Sequence, residues 1–212
     1  MVKTEHRGDT EIFPYVMYAP ETMEKGLPLI VQLHGAGERG NGSEAELPMV
    51  CTHGLPKVLA EADFPCIAVM PQCPKTSFWA ARVESLVRFI EQIVSRYEID
   101  PARVYLTGLS MGGFGTWYTA MARPDLFAAI VPVCGGGMAW NSSVLRMPIS
   151  VWHGAQDKTV SPHQSDEMVE KLRLLGRDVT YHRLDGVAHN VWDYAYTPEL
   201  VEWLLSKSKE KK

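Results

Sequence analysis

Short apolar, β-branched segments alternate along the chain with longer segments whose apolar residues recur at helical spacing, and this alternation limits the fold more than any other feature. Each crossover helix must bury its apolar stripe against a sheet, so the pattern calls for an α/β architecture: a mainly parallel, twisted sheet with helices on both faces. The sequence predicts strands at 12–18, 29–33, 66–70, 103–107, 128–133, 149–152 and 179–183, with Pro71 stopping the third. Helices are expected at 55–62 and 112–122, the latter stopped by Pro124. The clearest one carries Val83, Leu86, Val87, Ile90, Ile93, Val94 and Tyr97 on one face and Arg82, Glu84, Arg88, Glu91, Gln92 and Arg96 on the other. Ser161-Pro162-His163-Gln164 reads as a capping box opening a helix that Gly176 ends near Leu175. Thr197-Pro198-Glu199 caps the closing helix, whose Leu200, Trp203 and Leu204 share a face.

No repeat, low-complexity block or linker divides the chain, and 212 residues with 46% hydrophobic content can bury a substantial core as one domain, 1–212. The net charge of −4 comes from mixed signs without a basic stripe, which excludes a nucleic-acid-binding surface of the usual kind. No apolar run approaches the ~18 residues of a spanning helix. The N-terminal Met1 to His6 stretch has no signal-peptide apolar region, so a soluble, cytoplasmic chain is expected, a mature secreted form being the alternative, and His6 lies before the fold begins. Cys51, Cys66, Cys73 and Cys134 show no C-x-x-C spacing and read as free structural thiols, a Cys66–Cys73 disulfide being the alternative. Residues 207–212 read as a frayed, solvated end.

Gly108-Leu109-Ser110-Met111-Gly112 spells G-x-S-x-G between a predicted strand and a predicted helix. Ser110 is the candidate nucleophile, with a plain helix N-cap as the alternative. A serine hydroxyl needs a base and a group to orient that base. Among seven histidines, His53 sits in a long loop, His163 in a first helical turn and His182 inside a strand. His34 and His153 end strands, where they suit supporting roles. His189 follows the last strand on a loop and is the candidate base. Asp157 follows the strand before it, at a rim where parallel sheets build sites, and is favoured as the acid over Asp185 and Asp193. The order Ser, Asp, His after successive strands is the one a single fold family uses. Oxyanion donors are expected from the backbone N–H of Met111 and from the His34-Gly35-Ala36-Gly37 turn, with Ala36 preferred and Gly35 or Gly37 as alternatives.

These segments, together with Glu38-Arg39-Gly40, Pro71-Gln72-Cys73-Pro74, His153-Gly154-Ala155-Gln156-Asp157 and Ala188-His189-Asn190-Val191-Trp192-Asp193, resemble the α/β-hydrolase superfamily. Within it they resemble the small phospholipase/carboxylesterase-like and feruloyl or acetylxylan esterase-like serine hydrolases. The resemblance implies Ser110, Asp157 and His189 as triad, Ala36 and Met111 as oxyanion donors, ester substrates that are small or carbohydrate-linked, and no cofactor or metal. A peptidase or thioesterase on the same fold, or an inactive binding protein, are the competing expectations. Only residues 134–148 stand where many such enzymes insert a cap, so an open cleft without a cap domain is expected. Trp192 and Glu38 are candidate substrate contacts; Arg39 either joins them or forms a loop salt bridge. Trp79, Trp140 and Trp152 read as packing or cleft lining.

Overall fold

The computed structural model describes residues 1–8 and 12–209. Among them, eight strands form one sheet in the order β1-β2-β4-β3-β5-β6-β7-β8. These are β1 (Val2–His6), β2 (Tyr15–Ala19), β3 (Leu29–Leu33), β4 (Ile67–Pro71), β5 (Val104–Leu109), β6 (Ala129–Val133), β7 (Ile149–Gly154) and β8 (Val179–Leu184). β1 and β2 run antiparallel to their neighbours, and β3 to β8 pair in parallel. Helices α1 (Leu55–Glu61), α2 (Val83–Arg96), α3 (Met111–Ala122), α4 (His163–Leu174), α5 (Trp192–Ala195) and α6 (Pro198–Leu205) complete the fold.

The sheet separates two apolar layers. Leu29, Val31, Val104 and Leu106 face Leu86, Phe89, Ile90 and Ile93 of α2, Trp117 of α3 and Met168 of α4. Their sequence neighbours Ile30 and Tyr105 face Leu55 and Leu59 of α1 and Leu200 and Leu204 of α6. This is the period-two alternation of a strand buried on both sides. Each fully buried aliphatic or aromatic side chain contributes roughly 1.5–3 kcal/mol of transfer free energy, so α2 is held by its stripe rather than by helix propensity. Among the described residues no helix is long and apolar enough to cross a membrane.

Four local readings change. Residues 2–6 form an edge strand, with His6 stacked on Tyr15 at 4.3 Å. Its polar, largely exposed Val-Lys-Thr-Glu-His sequence carries no apolar signature, because only one edge of it is paired and neither face is deeply covered. β2 starts at Tyr15 rather than residue 12. Pro71 ends β4 from within: its register partner is Tyr15 on the β2 side, whereas pairing with β3 has already stopped at Val69, so no ladder donor is missed there. The capping box at Ser161 does not form; Pro162 is the N-cap of α4 without a side-chain bond, and Gln164 packs over Gly136.

At the C-terminal end, Tyr105 Oη donates to the Lys207 carbonyl at 2.6 Å and the Lys209 amide to Ala102 at 3.0 Å, so residues 207–209 are tied to the sheet instead of fraying. The rest of the predicted frayed end, 210–212, lies outside the described residues. All four cysteines are free. Thr197 caps α6 as its sequence predicts, accepting from the Leu200 amide.

Candidate active site

Ser110 stands between β5 and α3 with φ 54° and ψ −117°, a positive-φ conformation that a residue with a Cβ adopts only under constraint. The constraint comes from both sides. The Ser110 amide donates to Val133 on β6 at 2.9 Å, and Gly112 presses so closely on the Leu33 and His34 carbonyls that a Cβ there would collide with them. Although Ser110 occupies the N-cap position of α3, its hydroxyl makes no capping bond. Its Oγ lies instead 2.9 Å from His189 Nε2.

His189 is carried on the loop after β8, and that loop is clamped onto the end of β7. Gln156 N–H donates to the Val187 carbonyl at 2.9 Å, and Gly154 leaves no room for a side chain beneath the Val187 and Ala188 carbonyls. His189 Nδ1 meets Asp157 Oδ2 at 2.6 Å. Since ionised Asp157 only accepts, Nδ1 carries the proton and Nε2 is left to accept from Ser110. Asp157 Oδ1 takes the amides of Thr159 and Val160 at 2.8 and 2.9 Å. Burial alone would raise the Asp157 pKa, but the hydrogen bonds from His189, Val160 and Thr159 outweigh it and hold the carboxyl below its ordinary value. The other acids do not reach the base: Asp185 is exposed in the turn after β8, and Asp193 receives the Asn190 side chain at 3.3 Å.

The His34-Gly35-Ala36-Gly37 segment is a 3₁₀ turn, Ala36–Glu38, rather than a plain glycine loop. Gly35 faces Ser110 Cβ. Ala36 and Met111 each open their helix, so their N–H groups have no intrahelical acceptor. His34 locks the turn in a single tautomer, its Nδ1 donating to Gly35 O at 2.6 Å and its Nε2 accepting from Cys73 N–H at 2.9 Å. Burial pushes its pKa down to about 4, so the ring is neutral. Arg39 forms no loop salt bridge among the described residues. Its guanidinium donates to the carbonyls of Ala36 (2.9 Å), Lys75 and Ser77, tying the turn to the segment after β4.

Glu38 is buried beneath the turn, with Oε1 3.7 Å from His53 Nε2 and Oε2 3.8 Å from His34 Nδ1; Oε2 has no hydrogen-bond partner. Burial raises its carboxyl above the ordinary value. Trp192 sets its ring edge-on to His189 at 5.1 Å and tilted against His53 at 5.3 Å. The other tryptophans diverge. Trp79 is core and donates to the His34 carbonyl, Trp152 stacks on His182 at 3.8 Å, and Trp140 is 77% exposed on a groove beside α4 that contains none of the three central residues.

Residues 134–148 hold one 3₁₀ helix, Ala139–Val144, packed on α4. The His189 side chain keeps 20% of its surface open to solvent. Two further groups brace the acid and the base: His153, which its place at a strand end marks for a supporting role, and Cys134, which carries no sequence signature of one. Cys134, at φ 50°, donates its thiol to the His189 carbonyl, and His153 Nε2 lies 3.3 Å from Asp157 Oδ2. Cys134, His153 and Asp157 could in principle hold a metal, their ligand atoms lying within 4.8 Å of one another. Both Asp157 oxygens, however, are already engaged, Oδ1 by the Thr159 and Val160 amides and Oδ2 by His189, and burial pushes the Cys134 thiol up to about 12.

The parallel sheet, the strained serine turn and the Ser110–His189–Asp157 relay define an α/β-hydrolase fold with a serine triad geometry. The model of the prolyl oligopeptidase family matches residues 80–145, which contain the serine turn. Poly(3-hydroxyalkanoate) depolymerase C of Paucimonas lemoignei is 26% identical over 247 residues, covering 92% of this chain and 56% of that protein. The bifunctional acetylxylan esterase/xylanase XynS20E of Neocallimastix patriciarum is 26% identical over 163 residues, 74% of this chain and 23% of that protein. The chain thus spans about half the length or less of these relatives. A crystal structure of a thermostable esterase superposes with a TM-score of 0.82 at 30% identity, covering 98% of this chain and 63% of that one.

Proposed function

We propose that the protein is a serine carboxylic ester hydrolase that works through an acyl-enzyme on short-chain, aryl or carbohydrate-linked esters. The observation that carries this is the continuous relay from Ser110 Oγ to His189 Nε2 at 2.9 Å and from His189 Nδ1 to Asp157 Oδ2 at 2.6 Å. Ser110 attacks the ester carbonyl while His189 takes its proton, and Asp157 holds the imidazolium. The Ala36 and Met111 amides receive the oxyanion, each donor of this type supplying about 2.7–4 kcal/mol of transition-state stabilisation. His189 then protonates the leaving alcohol, and water repeats the sequence in reverse to free the acid. Trp192, beside His189, flanks the leaving alcohol or the acyl group and contributes to its selection, while Glu38, buried beneath the turn, acts from below it through His34 and His53. Similarity to a polyester depolymerase and an acetylxylan esterase supports ester over amide substrates. The match of the prolyl oligopeptidase family model to residues 80–145 keeps a peptidase as the second reading. The four free thiols support the cytoplasmic placement.

The test is hydrolysis of p-nitrophenyl acetate and butyrate alongside a peptide p-nitroanilide, with fluorophosphonate labelling of wild type and Ser110→Ala. Ester turnover and labelling that both vanish in Ser110→Ala are expected. Wild type that neither turns over an ester nor takes the label overturns the reading, and preference for the anilide selects the peptidase.

A further inference from the structure

Asp157 has more partners than a triad acid requires. Oδ1 is filled by the Thr159 and Val160 amides, and Oδ2 is shared between His189 at 2.6 Å and the ring of His153 at 3.3 Å. His153 is 0% exposed at the end of β7. Its Nε2 also lies 3.0 Å from the Val160 carbonyl, which can only accept, so Nε2 carries the proton. The opposite nitrogen, Nδ1, is therefore bare and takes the single hydroxyl proton of Ser165, whose Oγ lies at 2.7 Å, leaving the Gly135 carbonyl, 2.8 Å from the same oxygen, as a close neighbour and not a second acceptor of that proton. Burial lowers the His153 pKa, so the ring is neutral and has one proton to give. Asp166 of α4, His189 after β8, Cys134 after β6 and Asp157 itself are the titratable groups facing this cluster.

We infer that His153 is a positioning residue for the triad: its Nε2–H, aimed between Val160 O and Asp157 Oδ2, fixes the rotation of the Asp157 carboxylate and so the angle at which His189 presents Nε2 to Ser110. The inference rests on the esterase reading above. Without His153, Oδ2 has a single strong partner, His189, and rotation of the carboxylate is opposed only from the other oxygen, by the Thr159 and Val160 amides on Oδ1. Ser165 donates to Nδ1 and so sets the plane of the His153 ring, and it packs against Gly135, next to the residue that tethers the His189 carbonyl. A chain of contacts therefore runs from β6 through α4 to the acid, and each link is buried, where a hydrogen bond loses least to water.

The experiment compares His153→Leu, His153→Gln and Ser165→Ala with wild type by ester kinetics, thermal unfolding and the far-downfield proton resonance of the His189–Asp157 hydrogen bond. His153→Leu is expected to lower kcat about tenfold with KM unchanged, a fraction of the about 10⁴ that a lost triad acid costs. It should also broaden or shift the downfield proton. His153→Gln keeps an N–H donor and should recover most of both, and Ser165→Ala should fall between. Equal losses in His153→Leu and His153→Gln with an unmoved downfield proton would make the residue merely structural and overturn the inference, as would full kcat in His153→Leu. If His153→Leu does not fold, the Ser165→Ala and His153→Gln comparison decides. The resonance needs no turnover, so a wild type that hydrolyses no ester overturns the esterase reading, while the positioning role is still judged by the proton.

Discussion

Asp157 Oδ2 and His189 Nδ1 are 2.6 Å apart although 32 residues separate them, because the loop after β8 folds back onto the end of β7 through the Gln156–Val187 hydrogen bond. That contact makes one acid, and not its sequence neighbours, the partner of the base. Asp157→Asn should lower kcat by about four orders of magnitude by imposing the wrong imidazole tautomer. Asp185→Asn, in an exposed turn, should stay within about twofold of wild type. Steady-state hydrolysis of p-nitrophenyl butyrate distinguishes them, and a large loss in Asp185→Asn alone would reassign the acid.

Gly112→Ala places a methyl against the Leu33 and His34 carbonyls, which are backbone and cannot swing away. The expected cost is about 1–3 kcal/mol or more. At about 2–4 °C per kcal/mol for a chain of this size, thermal unfolding will register it. Gly37→Ala, with nothing within 4 Å and no positive φ, is the control and should melt with wild type.

Arg39→Ala should reduce kcat by roughly tenfold with little change in unfolding temperature, since it releases the Ala36 carbonyl and lets the oxyanion turn drift, a partial version of losing a donor outright. Arg39→Lys should not restore it, because one ammonium cannot serve the Ala36, Lys75 and Ser77 carbonyls in a fixed plane. Full activity in Arg39→Ala would show that the turn holds its shape unaided.

His34 couples the same turn to pH. Folded, it binds a proton only near pH 4, whereas in the unfolded chain it does so near its ordinary 6.5. The unfolded state therefore holds more protons between these values, and stability rises with pH across the window. The contribution is complete above about pH 6.5 and lost as pH falls to about 4. Urea unfolding from pH 4 to 7 should show this slope, and His34→Gln should flatten it; an unchanged slope would place the acid sensitivity elsewhere.

Much of the site could be read from the chain because each chemical residue sits next to a strand whose pattern is plain. β5 is apolar and ends in a glycine-flanked serine, and β7 and β8 are followed by Asp157 and His189 in the expected order. The readings that failed share a cause. The strand Val2–His6 is polar because it is an edge paired only to β2, and the Ser161 box gives way to packing of Gln164 on Gly136. In each case a partner distant in sequence decided the outcome, and local propensity says nothing about such partners.

The sequence by itself determined the layered α/β architecture and the three residues worth assembling, since hydrophobic periodicity and turn chemistry are local and survive in one dimension. Only the tertiary structure decided which nitrogen of His189 faces Ser110, that Glu38 is buried with an unpaired oxygen, and that His153 and Cys134 stand around the acid. Those facts are angles and distances between segments brought together by sheet order, and hydrogen bonds depend on them within tenths of an ångström.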